Sequence, residues 1–189
     1  MVIVGVLALQ GAFAAHQDRL TALGVEAPSV RTADQLNRLD ALVIPGGEST
    51  TMSHLLRTND LFNPIARMID AGLPVLGTCA GMIMCAADVR AGRSDQQSFG
   101  AIDITVCRNG YGRQRASFEA DLNVAGLDMP FHAVFIRAPV VERVGPDVEI
   151  LARLDDVPVL VRQQTCTVTS FHPELTLDER LHEMFVDSI

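Results

Sequence analysis

The stretch that decides the fold runs Pro74-Val-Leu-Gly-Thr-Cys79-Ala-Gly-Met-Ile-Met-Cys-Ala-Ala87. Its first part, Pro74–Gly77, is a short apolar run typical of a buried strand, and Ala80–Ala87 is predicted to form a helix directly behind it. Between them, Gly77-Thr-Cys79-Ala-Gly81 has the G-x-nucleophile-x-G spacing of a nucleophile elbow, with cysteine in place of serine. A strand that passes at once into a helix is typical of α/β folds.

The same strand–helix alternation covers the chain before this stretch. Val2–Leu9 and Ala41–Ile44 are apolar runs typical of strands buried on both faces. Ala12–Leu23 has helical spacing and stops at Gly24. Short connections between such elements imply right-handed crossovers, so we predict a doubly wound, mostly parallel sheet flanked by helices.

The later half of the chain is predicted to add antiparallel strands and a closing helix at Leu177–Ser188. A hairpin turn is expected at Asp155-Asp156. The candidate strands are Ile102–Cys107, Ser117–Val124, His132–Ile136, Val148–Leu154, Pro158–Val161 and Thr165–Phe171. Because 189 residues fit one domain, we expect residues 1–189 to form a single domain.

Composition excludes several classes of function. A net charge of −8 argues against binding of nucleic acid or of anionic membranes. The apolar runs are too short to span a bilayer, and no signal peptide is recognised. The four cysteines are scattered without a C-x-x-C pair, which predicts neither a disulfide framework nor a metal site. We therefore expect a cytoplasmic protein.

Three sequence features follow strands whose carboxyl ends should meet at one edge of the sheet. They are Gln10-Gly11, Pro45–Ser49 and Thr78-Cys79. At the third, the N–H groups of the next helix would stabilise a thiolate on Cys79, and the N–H of Ala80 would donate to an oxyanion. The alternative is that Cys79 is a small buried apolar residue, as most free cysteines are. Its flanking glycines favour a nucleophile.

A histidine and a carboxylate lie two residues apart in Ser170-Phe-His172-Pro-Glu174. Side chains at this spacing share one side of an extended segment. Glu174 can then orient the imidazole, and His172 can take and return a proton. A surface histidine beside a carboxylate is usually only solvated, so this interpretation depends on the elbow at Cys79.

Further candidates surround the same edge. Gly46-Gly47 allows close approach to a ligand, and the Gly47 N–H is a second oxyanion donor, although an ordinary turn explains the motif equally well. The loop Arg108–Gln114 carries two guanidinium groups suited to a carboxylate. Arg137 follows the apolar run Val134–Ile136, which makes it the better candidate for a functional arginine.

The elbow and the His172-Pro-Glu174 fragment together resemble the class I, or triad, glutamine amidotransferases. Further segments are similar to the glutaminase subunits of pyridoxal 5'-phosphate synthases, and the similarity runs from Val4 to about Phe185. These segments are Leu9–Gly11, Pro45–Thr51, Arg108–Gln114, Ser117–Asp121 and Phe135–Pro139. The resemblance implies a flavodoxin-like fold and no cofactor or metal.

It also implies an activity, namely hydrolysis of L-glutamine to glutamate and ammonia. Cys79 would form a γ-glutamyl thioester, with His172 as acid and base and Glu174 as its orienting partner. Gly47 and Ala80 would form the oxyanion hole. The glutamine site would be lined by Gly46, Gly47, Glu48, Ser49, Gln10, Arg108, Ile136 and Arg137.

The resemblance further implies a partner. Ammonia would pass to a synthase (lyase) subunit in a large multi-subunit complex, and docking would turn the Gly46-Gly47 peptide into its oxyanion-binding orientation. Two alternatives stay open: a glutaminase for another acceptor, such as histidine biosynthesis, or a non-catalytic binding module on the same fold.

Overall fold

The computed structural model describes residues 2–108, 110 and 117–189. Elements up to the elbow are β1 (Val4–Leu7), α1 (Phe13–Ala22), β2 (Ser29–Val30), β3 (Ala41–Ile44), α2 (Ser49–Thr58), α3 (Phe62–Asp70), β4 (Val75–Thr78) and α4 (Ala80–Cys85). The later elements are β5 (Ala86–Arg90), β6 (Ile102–Cys107), β7 (Ser117–Leu122), β8 (Phe131–Ile136), β9 (Val140–Val144), β10 (Glu149–Leu154), β11 (Val157–Gln163), β12 (Cys166–Thr169) and α5 (Arg180–Val186). Short 3₁₀ segments occur at Ala33–Leu36 and Pro173–Leu175.

The central sheet has the strand order β10-β11-β12-β4-β3-β1-β2. From β12 to β2 all neighbours are parallel, whereas β10 and β11 are added by antiparallel pairing. The predicted turn at Asp155-Asp156 joins these two strands, because Leu154 pairs with Val157. The mostly parallel sheet flanked by helices and the added antiparallel strands confirm the predicted fold class.

Register places the ends of the parallel strands side by side. Thr78 at the end of β4 pairs with Thr169 at the end of β12. On the other side of β4, Gly77 pairs with Ile44 at the end of β3. The segments that follow these strands therefore emerge together at one edge of the sheet.

The first helix ends as its sequence predicts. Gly24 has a φ of +75°, the left-handed conformation that glycine adopts without a steric cost. Its N–H donates to the carbonyl of Thr21, and the Val25 N–H donates to that of Leu20, which is the Schellman arrangement. This stop returns the chain to β2.

Two strands were not predicted, and the helix of the elbow is shorter than expected. The predicted helix Ala80–Ala87 ends at Cys85, where Ala86 is already extended and pairs with Ile102. Val140–Val144 pairs with β6 on its other side. Both errors have one cause, because pairing with a segment distant in sequence overrides local preference.

The closing helix is also shorter than the predicted Leu177–Ser188, since α5 begins at Arg180. The helical spacing of Leu181, Met184 and Phe185 predicts an inward face; Leu181 and Phe185 are buried, whereas Met184 is only partly buried. Of the loop Arg108–Gln114, Asn109 and residues 111–114 lie outside the described residues, so the interpretation of its second guanidinium group is not addressed by the structure. In the described part of the chain, no helix combines the length and apolar character needed to cross a membrane.

Candidate active site

The elbow forms at the end of β4. Cys79 has φ 50° and ψ −100°, a strained conformation for a residue with a side chain, and it immediately precedes α4. Its backbone N–H donates to the carbonyl of Thr169 at 2.8 Å, which ties the elbow to β12. A Cβ at Gly81 would lie 2.0 Å from the carbonyl oxygen of Ile44, so only glycine allows the helix to approach β3 this closely. Strain of this kind is typical of a nucleophile held by its surroundings.

His172 and Glu174 lie beside the elbow, on the segment after β12. The imidazole Nδ1 of His172 donates to Oε1 of Glu174 at 2.7 Å, and both residues are buried. Burial disfavours the imidazolium, but interactions with Cys79 and Glu174 raise the pKa of His172 to about 10. The protonated imidazole is therefore stabilised between a thiol on one side and a carboxylate on the other.

A cavity of about 180 Å³ opens over Cys79 and His172. Residues proposed from the sequence line most of it, together with Ile83, which was not proposed; the lining is Gly47, Glu48, Ser49, Cys79, Ile83, Arg108, Ile136, Arg137 and His172. The Cys79 thiol lies 3.8 Å from the carbonyl oxygen of Ile136. The remaining candidates, which are not part of this lining, are Gln10, Gly46, Ala80 and Glu174.

One end of the cavity is a polar cluster around Arg108. Its guanidinium donates to Glu48 at 2.6 Å and to the hydroxyl of Thr50 at 2.8 Å, and Gln96 accepts a third hydrogen bond. Beside it, the hydroxyl of Ser49 is buried and has no hydrogen-bond partner among the described residues. The cavity thus presents guanidinium, carboxylate and free hydroxyl groups, which together suit an amino acid with both its charges.

Gly47 lines the cavity, and Gly46 precedes it next to the imidazole of His172. The imidazole of His172 packs against Gly46, since a Cβ there would lie 2.3 Å from Cε1 of that ring. The carbonyl of Gly46 accepts a 3.0 Å hydrogen bond from the N–H of Ala12. This bond fixes the direction of the Gly46-Gly47 peptide in the isolated chain.

Gln10 packs on the other glycine. Its side-chain oxygen accepts from the backbone N–H of Glu48 at 3.1 Å, and a Cβ on Gly47 would lie 2.5 Å from its amide. Gln10 therefore reaches the site through the backbone of the Gly47 loop and not through the lining of the cavity.

A buried histidine that the motifs do not include stands behind Glu174. His16, on α1, is fully buried, and its Nε2 lies 3.3 Å from Oε2 of Glu174 and 3.1 Å from the hydroxyl of Thr78. The signal for it in the sequence is a histidine on the apolar stripe of a helix, between Phe13 and Leu20. Such a residue is usually part of a core, so only the fold shows its proximity to the candidate triad.

Metal ligation has no support in the described part of the chain, where no group of three histidine, cysteine or carboxylate side chains is arranged to hold an ion.

A cysteine elbow beside a histidine–glutamate pair on a mostly parallel sheet is the architecture of the class I glutamine amidotransferases. A solved glutamine amidotransferase superposes with a TM-score of 0.93 at 49% identity, covering 98% of this chain and 97% of the other. A component of the PurLQS structure from Thermotoga maritima shares the fold, with a TM-score of 0.67 at 16% identity and 98% of each chain covered.

Sequence comparisons agree at a finer level. The model of the SNO glutamine amidotransferase family matches residues 6–189, and the chain belongs to this family. The pyridoxal 5'-phosphate synthase subunit PdxT of Mycobacteroides abscessus is 54% identical over 187 residues, covering 99% of this chain and 97% of the relative. Its counterpart in a Nocardioides species is 53% identical, covering 98% and 95%. The resemblance predicted from the sequence is confirmed.

Proposed function

We propose that the chain hydrolyses L-glutamine to L-glutamate and ammonia as the glutaminase subunit of a pyridoxal 5'-phosphate synthase. The observation that carries the proposal is the meeting of Cys79 and His172 at one cavity, with Glu174 bound to the far side of the imidazole. Membership of the SNO family and the names of the close relatives support glutamine as the substrate and vitamin B6 biosynthesis as the context.

The geometry supports a two-stage reaction. With the thiol proton on His172, the Cys79 thiolate attacks the γ-carbonyl carbon of glutamine, and the imidazolium then protonates the departing nitrogen, which leaves as ammonia. The neutral imidazole next takes a proton from water, the resulting hydroxide attacks the thioester, and glutamate leaves as the thiolate forms again. The raised pKa of His172, about 10, suits a group that begins the first stage protonated.

The developing oxyanion needs donors, and we assign them to the N–H groups of Gly47 and Ala80. Ala80 is the first residue of α4, where helix N–H groups lack an intrahelical partner. For Gly47, the peptide is held by the Ala12–Gly46 hydrogen bond. If docking of the synthase turns this peptide, as the family resemblance implies, that hydrogen bond must break.

Substrate recognition is assigned to the polar end of the cavity. Arg108 and Arg137 supply positive charge for the α-carboxylate, and Glu48 supplies negative charge for the α-ammonium group. The unpartnered hydroxyl of Ser49 adds a donor and acceptor close to the substrate backbone. Ile136 shapes the wall near Cys79, Gly46 leaves the space that the imidazole of His172 occupies, and Gln10 acts through the Gly47 loop.

The proposal extends to the setting of the enzyme. Residues 1–189 act as one glutaminase domain, docked on the synthase subunit in a large multi-subunit complex that receives the ammonia directly. The free thiols of all four cysteines support a reducing, cytoplasmic location.

The first prediction concerns Cys79. In the presence of the synthase subunit, Cys79→Ala should lower glutamate release at least about a thousandfold, because no other group forms the thioester. The matched control is Cys107→Ala, which removes a half-buried thiol outside the cavity and should retain full activity. Glutamate release is measured by a coupled dehydrogenase assay.

Retained activity in Cys79→Ala would refute the mechanism. A glutamine-mimicking electrophile separates the enzyme from a non-catalytic module: it should label Cys79 in the complex, and glutamine should protect against labelling. Co-purification with this synthase, and not with the synthase of histidine biosynthesis, identifies the ammonia acceptor.

A further inference from the structure

The side chains of three histidines and one glutamate form a continuous buried row behind Cys79. From the cavity inward, His172 donates to Oε1 of Glu174 at 2.7 Å, and Oε2 of Glu174 lies 3.3 Å from Nε2 of His16. On the far side of that ring, Nδ1 of His16 lies 2.9 Å from Nε2 of His182. Glu174 lies in the 3₁₀ segment Pro173–Leu175 and His172 directly before it, whereas His16 comes from α1 and His182 from α5; both inner histidines are fully buried.

The charge states of the inner histidines follow from their burial. Burial lowers the pKa of His16, although Glu174 opposes this effect. Burial lowers the pKa of His182 to about 3, and His16 adds to this shift. Both rings are therefore neutral at physiological pH, and each has one N–H donor and one bare nitrogen.

Only one placement of the ring protons of His16 and His182 avoids repulsion within this row of side chains. Ionised Glu174 can only accept, so a bare Nε2 on His16 would place two lone pairs 3.3 Å apart in a buried site. The proton of His16 therefore belongs on Nε2, where it is donated to the hydroxyl of Thr78 at 3.1 Å and lies near Oε2 of Glu174. Nδ1 of His16 is then bare and accepts from Nε2–H of His182.

We propose that His16 is a positioning residue for the triad, whose Nε2–H stabilises the second oxygen of Glu174 electrostatically from 3.3 Å, and that His182 selects the tautomer that supplies this N–H. Among the described residues, Oε2 of Glu174 accepts no hydrogen bond, so its 3.3 Å contact with His16 is an electrostatic one. The inference rests on the proposed triad, since its effect on catalysis passes through Glu174 and His172.

Support at both oxygens has two consequences. It fixes the plane of the carboxylate, which in turn fixes the ring of His172. It also favours the ionised carboxylate: burial favours the neutral acid, but the electrostatic effect of the His16 N–H and the hydrogen bond of His172 lower the pKa of Glu174. Two further charged groups lie near this row of side chains. Arg19 faces His182, and Glu179 lies 3.7 Å from Arg19.

The first test needs no substitution. In the native chain with ¹⁵N-labelled histidine, the ring-nitrogen shifts of His16 should show a proton on Nε2 and a bare Nδ1 at pH 7. A proton on Nδ1 would overturn the proposal, because His16 would then have no donor to offer Glu174.

The second test measures catalysis in the complex with the synthase. His16→Leu should lower kcat roughly 10- to 100-fold, the effect of removing a polar N–H from beside a buried charged group, with little change in KM. The acid limb of its kcat profile should move to higher pH, because the pKa of Glu174 rises without His16. His16→Gln, which keeps a side-chain N–H, should recover most of both losses.

Leu20→Ala is the matched control for packing, since Leu20 is fully buried one turn later on the same face of α1. It should lower the melting temperature and leave the acid limb unchanged. An unshifted acid limb in His16→Leu, or an equal shift in Leu20→Ala, would overturn the proposal. Failure of the proposed function is seen separately, as full glutamate release by Cys79→Ala.

Discussion

At the scale of single residues, the candidate site depends on positions where a side chain is missing. Gly46 leaves room for the imidazole of His172, and Gly81 lets α4 approach β3, so that Cys79 and His172 meet. The polar residues provide the chemistry, but the glycines provide their distances. Neither glycine here has a positive φ, so the requirement is one of space and not of backbone freedom.

We expect Gly46→Ala to abolish glutaminase activity while the chain stays folded. The new methyl group would lie 2.3 Å from Cε1 of His172, so the ring must move away from Cys79 or from Glu174. Gly92→Ala, whose added methyl group would lie 3.4 Å from the nearest atom, is the matched control and should be fully active. Glutamate release and the melting temperature are measured for both; an active Gly46→Ala would show that the ring tolerates displacement.

At the scale of elements, α2 shows how a strand-to-helix turn becomes part of a binding site. Glu48 is the N-cap of this helix, and its carboxylate accepts from the N–H groups of Thr50 and Thr51. The same carboxylate pairs with Arg108 at 2.6 Å. The cap that begins the helix therefore also places the polar end of the cavity.

This cap predicts a dependence of stability on pH. Burial opposes ionisation of Glu48, but hydrogen bonds from Thr51 and Thr50 lower its pKa to about 2 from 4.5. Since the folded-state pKa is the lower one, the stabilisation is complete above about pH 4.5 and is lost as the pH falls to about 2. We expect the native chain to melt above Glu48→Gln at pH 7, with the two curves converging near pH 2. A melting difference that is the same at every pH would contradict this.

At the scale of the whole molecule, the site rests on a hydrophobic core between the central sheet and the strand pair β7–β8. Phe171 is fully buried next to His172 and contacts Phe131 and Phe135 of β8, with ring centroids 5.9 and 5.5 Å away. A backbone hydrogen bond of 2.9 Å also joins His172 to Val134 of β8. β8 pairs antiparallel with β7 and ends at Ile136, directly before Arg137, so this two-stranded ribbon is thereby fixed to the segment after β12.

Phe171→Ala should lower the free energy of unfolding by about 3–5 kcal/mol, through lost burial and an unfilled cavity. Phe171→Leu should cost about 1 kcal/mol, because most of the volume is kept. Leu177→Ala is the control, since this side chain is 86% exposed and should have no measurable effect. Urea unfolding measures all three; equal stability of Phe171→Ala and Leu177→Ala would contradict the role of this core.

Strands were predicted correctly from the sequence where the signal is local and were missed where it is not. β3 and β6 were predicted with their observed bounds, because the continuous apolar run of β3 and the alternating β-branched residues of β6 are local signals. β5 and β9 were missed, because each is a strand only by pairing with β6. The lining of the cavity was largely predicted, since Gly47, Glu48 and Ser49 follow a strand that had to end at the same edge as Cys79.

The sequence by itself determined the parallel α/β fold, the elbow at Cys79 and the pairing of His172 with Glu174, since each follows from patterns among residues that are close together in the sequence. Only the tertiary structure decided what stands behind them. His16 and His182 are 166 positions apart, and nothing local in either helix points to Glu174. The packing of α1 and α5 against the sheet brings both histidines to it, and burial there removes the water that would otherwise satisfy that carboxylate.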